Sequence, residues 1–303
     1  MTDRIVLGCG NFGGIGSAPE LFGRGESQEE AFAIMDAAWA AGIRRFDTAD
    51  AYGGGRSEAA IGAWMRATRN RPAITTKTFN PMVPGGDHGL SRERILRQIG
   101  TSLERLGVDR VDVYLAHEFD PDVPLSETLG AFEELRGEGV IGGYGVSNFS
   151  AEQVRGAADA ARIAVVQNEY SLLERRDEAD VLPFCAERGI AYEAFSPLKG
   201  GWLTGKYRAE SDFPGGSRMT LRPGPYEHLV EPHVFSSLEA LQAEAARRGV
   251  DMAALALAWV LADGRVTRVV AGPRRPEHLE PALRARRLQL TPGERDEIAS
   301  VFS

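Results

Sequence analysis

Apolar and polar positions along this chain alternate in two periods, and the switch between them repeats. Residues 27–42 open with Ser27 and Glu30 at the spacing of a capping box, in which each side chain satisfies the other residue's backbone N–H. Phe32, Met35 and Trp39 then recur at helical spacing, which predicts an amphipathic helix. Gly42 and Ile43 have the form of a helix stop: glycine accepts the left-handed backbone, and the apolar residue after it packs back on the last turn. A short strand is predicted at once, at 44–47. The same glycine and β-branched pair returns at Gly107-Val108, Gly139-Val140 and Gly189-Ile190, each followed within a few residues by an apolar run.

The runs predicted as strands cover residues 5–8, 44–47, 73–77, 111–117, 141–146, 164–167, 191–195 and 267–271. Most neighbours are far enough apart to hold a helix. Such an alternation fits a (β/α)8 TIM barrel, although an open, doubly wound parallel sheet would produce a similar string. No linker or low-complexity tract divides the 303 residues, so a single domain over 1–303 is expected. The Gly/Pro-rich stretch 213–225 reads as a long loop over the barrel top, since loops of this length are either functional lids or mobile insertions.

Charge narrows the partners. The formal net charge of -8 and pI near 5.3 would repel a phosphate backbone or an anionic membrane, so neither nucleic acid nor membrane is expected as the main partner. Cys9 and Cys185 are the only cysteines and show no CxxC or Cys/His spacing, which argues against a disulfide framework and against a metal site. No signal-like segment opens the chain and no apolar stretch approaches the roughly twenty residues of a membrane span, so a cytoplasmic protein is expected. No heptad pattern announces a partner helix, and the oligomeric state is not legible.

Polar residues fall just after the apolar runs: Asp47, Lys77, His117, Ser147, Asn148, Gln167, Ser196 and, shortly after the last run, Arg274. In a parallel barrel these positions share the C-terminal rim, where such enzymes place their chemistry. Any one of them could be a plain strand-end hydrogen-bonder; their shared position points to a site. A phenol such as Tyr52 has an unperturbed pKa of about 10 and needs a neighbouring cation to serve in acid-base chemistry near neutrality. Lys77 can be that cation. A carboxylate such as Asp47 would counter the tendency of a buried lysine to lose its proton, and His117 could donate a hydrogen bond to a substrate oxygen or relay a proton.

FDTADAYGGGRSE (46–58), ITTK ending at Lys77, LAHEFD (115–120), GVSNF (145–149), VQNEYSLLER (166–175) and FSPLKGGWLTGKY (195–207) together resemble the aldo-keto reductase superfamily in order and spacing, over nearly the whole chain. The resemblance implies a reductase that takes hydride from NADPH to reduce a small-molecule aldehyde or ketone, with Tyr52 as general acid, Lys77 and Asp47 tuning it and His117 orienting the carbonyl. It also implies that Ser147, Asn148 and Gln167 hold the nicotinamide carboxamide while the ring stacks on Phe195, where many relatives have tyrosine. Ser196, Leu198, Gly200, Leu203 and Lys206 resemble the loop around the pyrophosphate. AGPRRPEHLEPA (271–282) resembles the block at the adenosine end, with Gly272, Arg274, Arg275 and His278 as contacts. Arg274 is the first choice for the 2′-phosphate, because a guanidinium can make a forked pair of charge-assisted bonds, and Arg275 is the second. Relatives usually carry Gln or Arg at His278 and Asn at Ala282, so NADH stays open as a cofactor. Asn11, Phe12, Phe79, Glu118 and Phe119 are candidates for the substrate pocket, which the short run of chain after the last helix would leave open.

GCGNFGG (8–14) contains GxGxxG after a strand, the fingerprint of a Rossmann dinucleotide site. That fingerprint must open directly into a helix, whereas here a glycine-rich stretch with Pro19 intervenes and the helix waits until Ser27. Two further functions remain compatible with the resemblance: a cofactor-sensing regulatory subunit of a channel, and an alcohol or sugar dehydrogenase working in the oxidative direction. Against the first, all four catalytic positions carry the expected residues.

Overall fold

The computed structural model describes residues 4–209 and 211–302. Eight parallel strands close into one barrel in sequence order. They are β1 (Ile5–Gly8), β2 (Arg45–Asp47), β3 (Ala73–Thr78), β4 (Val111–Ala116), β5 (Ile141–Ser147), β6 (Val165–Glu169), β7 (Ala191–Phe195) and β8 (Arg268–Ala271), and β8 pairs with β1 to complete the ring. Each expected run lies within one or two residues of an observed strand. The barrel, rather than an open sheet, is thus the observed fold. The covering helices are α1 (Gln28–Ala40), α2 (Arg56–Thr68), α3 (Arg92–Leu106), α4 (Leu125–Gly137), α5 (Ala151–Ala160), α6 (Val181–Arg188), α7 (Arg218–Leu221), α8 (Pro232–Arg247), α9 (Met252–Ala262), α10 (Glu280–Ala285) and α11 (Pro292–Ser300).

The local signals act as their chemistry requires. At α1, the Ser27 hydroxyl accepts from the Glu30 backbone N–H and the Glu30 carboxylate accepts from that of Ser27, so the capping box forms. The four glycine stops all take positive φ, between 65° and 85°. The buried face of α1 differs from the expected one: Ala31, Ile34, Met35 and Ala38 pack inward with no exposed surface. Phe32 and Trp39 flank that face, and Trp39 meets Trp64 edge-on at 5.8 Å under the guanidinium of Arg44. The aliphatic residues of α1 thus face the strands, and the two aromatic rings lie at the margin of that face. Helix α9 is apolar on every side and is buried from Met252 to Leu261, with the Trp259 indole N–H donating to the Arg295 carbonyl of α11.

The 213–225 stretch is folded into α7 and a 3-10 turn at Gly224–Leu229. Arg218 donates from α7 to the Asn11 side chain beyond β1, and Arg274 beyond β8 donates to the Gly216 carbonyl at 2.7 Å. These contacts strap the stretch across the rim.

Two features behind the rim govern how the site is held. Gly53 (φ 60°) follows Tyr52 in a 3-10 turn, and a Cβ added there would meet the Phe12 carbonyl oxygen at 2.6 Å. The loop after β1 can therefore lie against the tyrosine turn only because this residue has no side chain. Deeper down, the Asp50 carboxylate accepts from the Thr78 hydroxyl at 2.8 Å, 4.0 Å from Arg94. Burial, followed by repulsion from Glu58, pushes its carboxyl up to about 7.

Two outcomes follow. Gly53→Ala, which adds a steric clash to a left-handed backbone, is expected to lose about 2–5 kcal/mol in urea unfolding. Gly85→Ala (φ 66°), with open space around its Cβ, should lose only the roughly 1–2 kcal/mol of backbone strain. For Asp50, the folded state binds the proton more tightly than the unfolded chain, whose carboxyl titrates near about 3.9. Its contribution is present below that value and is lost as pH rises through about 7. The denaturation midpoint should thus fall between pH ~4 and ~7, and Asp50→Asn should flatten that slope; an unchanged slope would show that Asp50 is already ionised in the folded protein.

Candidate active site

An ion pair at the mouth of the barrel organises the site. Lys77, from β3, places Nζ 2.6 Å from Asp47 Oδ1 at the end of β2 and 2.9 Å from the Thr48 carbonyl oxygen. Both side chains are buried, at 1% and 4% exposure. The second Asp47 oxygen accepts from Gln167 Nε2 at 2.8 Å, which reaches across the barrel from β6. The same amide nitrogen lies 3.1 Å from Glu193 on β7, whose other oxygen takes a bond from Arg268 on β8 at 3.1 Å. A hydrogen-bonded chain thus crosses the barrel interior beneath the rim.

Tyr52 stands over this pair. Its hydroxyl lies 3.5 Å from Lys77 Nζ and 3.5 Å from His117 Nε2, with the tyrosine and histidine rings edge-on at 5.4 Å. The four residues that the sequence places on three strand ends and one turn therefore converge. Burial pulls the Lys77 ammonium down, but Asp47 and Tyr52 together more than restore it, and the lysine stays charged. Burial raises the Tyr52 phenol against the opposing pull of Lys77, so its resting form is the phenol. Burial, with the Lys77 charge beside it, holds His117 well below the usual imidazole range and therefore neutral.

Asn80, three residues beyond Lys77, brings its amide nitrogen 3.3 Å from His117 Nδ1. Arg94 of α3 fixes this segment by donating to the Asn80 carbonyl at 2.9 Å, to the Thr78 hydroxyl at 2.8 Å and to the Gly89 carbonyl at 3.0 Å. Nothing in the sequence marks Asn80 beyond its place just past a strand end.

The cofactor candidates lie along one side of the rim. Ser147 and Gln167 are buried at the ends of β5 and β6. Asn148 takes a left-handed backbone (φ 59°) and spends its amide N–H groups on the His117 carbonyl and Ser147 hydroxyl. With their nitrogens engaged, Asn148 and Gln167 offer carbonyl oxygens, which suit the NH2 of a carboxamide. Phe195 ends β7, half-buried at the rim, and Ser196 follows with φ 49°. Leu198 packs partly against the core and Leu203 lies wholly within it, so Leu203 can offer a ligand only its backbone. Gly200 lies against the Tyr226 ring and Gly201 against Lys206 Nζ. Burial, then repulsion from Arg218 and Arg274, lowers the Lys206 ammonium, which places three cations in one region. One Arg218 nitrogen, Nη1, is buried without a partner. Crowded cations with an unused donor fit a polyanion such as a pyrophosphate.

Beyond β8, Gly272 lies near the Gly8 carbonyl and is exposed. Arg274 Nε is 2.8 Å from Glu26, and its backbone N–H lies 3.4 Å from His278 Nδ1. Arg275 is exposed, 4.0 Å from Glu277. Arg218 and Glu26, like Asn80, were not among the residues singled out from sequence; a basic residue in 213–225 was the available signal for Arg218.

The pocket candidates divide. Phe12 has no exposed surface and belongs to the core, and Asn11 is buried with its side chain bonded to Arg218. Phe79 stands edge-on to His88 at 6.2 Å and Phe119 to Phe149 at 5.4 Å, while Glu118 is exposed. Cys9 and Cys185 are free and buried, and no helix among the described residues is long and apolar enough to cross a membrane.

A closed parallel barrel with an aspartate, tyrosine, lysine and histidine gathered at its C-terminal rim defines a class of oxidoreductase scaffold. The family model for the aldo/keto reductase family matches residues 4–302, and the chain belongs to that family. It is therefore an NAD(P)H-dependent oxidoreductase of a family that acts on small-molecule carbonyl compounds. It is 34% identical to aldo-keto reductase str7 of Strobilurus tenacellus over 97% of this chain and 87% of that protein. It is 31% identical to the NADH-specific methylglyoxal reductase of Escherichia coli over 82% of this chain and 80% of that one. Among solved structures, the glycerol dehydrogenase of Gluconobacter oxydans superimposes with a TM-score of 0.84 at 26% identity, covering 98% of this chain and 90% of its own.

Proposed function

We propose that this protein reduces an aldehyde or ketone to an alcohol with NADPH, and that Tyr52 delivers the proton. The observation that carries this reading is the Tyr52 hydroxyl, in its phenol form, held 3.5 Å from both Lys77 Nζ and His117 Nε2. When bound, the nicotinamide supplies a hydride. Tyr52 gives its proton to the carbonyl oxygen, and the Lys77 ammonium, kept charged by Asp47, steadies the phenolate left behind. His117 is neutral and donates from Nε2–H to the same oxygen. Asn80 supports that tautomer, since its amide N–H donates to Nδ1 and leaves the imidazole proton on Nε2.

In the same reading Ser147, Asn148 and Gln167 hold the carboxamide, Phe195 offers its face to the ring, and the loop from Ser196 to Lys206 takes the pyrophosphate with Arg218 added. Arg274 takes the 2′-phosphate, with Arg275 second to it and His278 beside the adenine. Phe79, Glu118 and Phe119 border the substrate.

Tyr52→Phe removes the donor and is expected to lower turnover by roughly 10²- to 10⁴-fold with cofactor affinity nearly unchanged, measured by NADPH and NADH oxidation against aldehydes, ketones and dicarbonyls. Near-normal turnover would sink the role given to Tyr52. Cofactor binding by the wild type with no turnover across the panel would favour a regulatory subunit instead. Asn80→Asp replaces a donor to Nδ1 by an acceptor, drives the imidazole proton to Nδ1 and is expected to lower kcat about tenfold or more. That loss should shrink as pH falls, because the doubly protonated ring regains Nε2–H. A loss independent of pH would make Asn80 a packing residue only.

A further inference from the structure

The Glu26 carboxylate lies beneath the rim at 4% exposure, in the loop between β1 and α1. One of its oxygens accepts from Arg274 Nε at 2.8 Å, and the other, Oε2, is buried without a partner. Its backbone is fixed as well: its N–H donates to the Asn11 carbonyl at 2.9 Å and its carbonyl accepts from Gly13 at 2.8 Å. Arg274 is held from a second side by the Gly216 carbonyl, so two of its donor groups are already committed. We infer that Glu26 is a specificity-determining residue that holds down the preference for NADPH over NADH by occupying Arg274. The inference rests on the reading that Arg274 meets the 2′-phosphate.

The physical case has two parts. A 2′-phosphate that draws Arg274 toward itself leaves a buried carboxylate without its cation, and stranding one partner of a buried pair is costly. If Arg274 stays in place and is shared, Glu26 remains as a like charge close to a phosphate. A ribose hydroxyl carries neither penalty. It leaves the pair intact. Burial raises the Glu26 carboxyl against the opposing pull of Arg274 and the weaker one of Arg218. The wild-type protein is thus expected to bind the two cofactors with affinities within about tenfold of each other.

The test is direct binding of NADPH and NADH, without substrate, by fluorescence quenching of the full-length wild type, Glu26→Gln, Glu26→Ala and Arg274→Ala. The thermal transition of each cofactor-free variant verifies folding. Glu26→Gln keeps the shape and removes the charge. It should tighten NADPH by about tenfold, or ~1.4 kcal/mol, while NADH changes by less than about threefold or weakens. Glu26→Ala should move the ratio in the same direction and serves if the glutamine variant folds poorly. In the Arg274→Ala background the NADPH gain from Glu26→Gln should shrink to less than about threefold, because only direct repulsion of the phosphate is then relieved. An unchanged ratio in both Glu26 variants, or weaker NADPH binding, would overturn the inference; weaker NADPH would mean that Glu26 orients Arg274 for the phosphate. Arg274→Ala alone separates the two levels: equal effects on both cofactors would remove the 2′-phosphate reading itself.

Discussion

The buried ion pair between Lys77 and Asp47 is the contact on which the rest of the site depends. An ammonium deep in a barrel mouth loses its hydration, and burial alone would drive off its proton. Asp47 on the neighbouring strand prevents that, and the charge so retained lies 3.5 Å from the one phenol that can use it. Removing either partner would strand the other, so the pair ties the packing of β2 on β3 to the electrostatics of the barrel mouth.

The pair is itself held in place. Gln167 reaches across the barrel to the second Asp47 oxygen and links it to Glu193 and Arg268, so strands far apart around the ring fix one carboxylate. Engaging the nitrogens of Gln167 and Asn148 in protein contacts also decides what these residues can offer a ligand, namely their carbonyl oxygens. On the outer rim, Arg218 and Arg274 bind segments that follow β7 and β8 to the loop beyond β1. The rim beyond β7, β8 and β1 is in this way closed by contacts between segments far apart in the chain.

Much of the architecture was legible in advance because its signals are local. A capping box, glycine stops and eight apolar runs each act within a few residues, and the alternation they produce leaves few ways to fold. The resemblance of six ordered blocks then placed Asp47, Tyr52, Lys77 and His117 at positions that the barrel does bring together. Burial of individual side chains depended on packing. Phe32 and Trp39 carry the right period but sit at the edge of the α1 face, where Trp39 packs on Trp64, while Ala31, Ile34, Met35 and Ala38 meet the core. Phe12, a candidate for the substrate pocket, has no exposed surface in the loop that folds against the tyrosine turn.

The contacts that sequence could not supply join residues far apart in the chain. Glu26 and Arg274 are separated by 248 positions and Asn11 and Arg218 by 207. Asn80 meets His117 only because β3 and β4 run side by side. Sequence by itself determined the elements, their order, the polar strand ends and the chemistry those residues can perform. Tertiary structure alone decided which charges are paired, which phenol and imidazole stay neutral, and that Arg274 already has a carboxylate for company. Those properties arise from distance and burial, and no periodicity along one chain encodes the distance between strands that closure of the barrel sets.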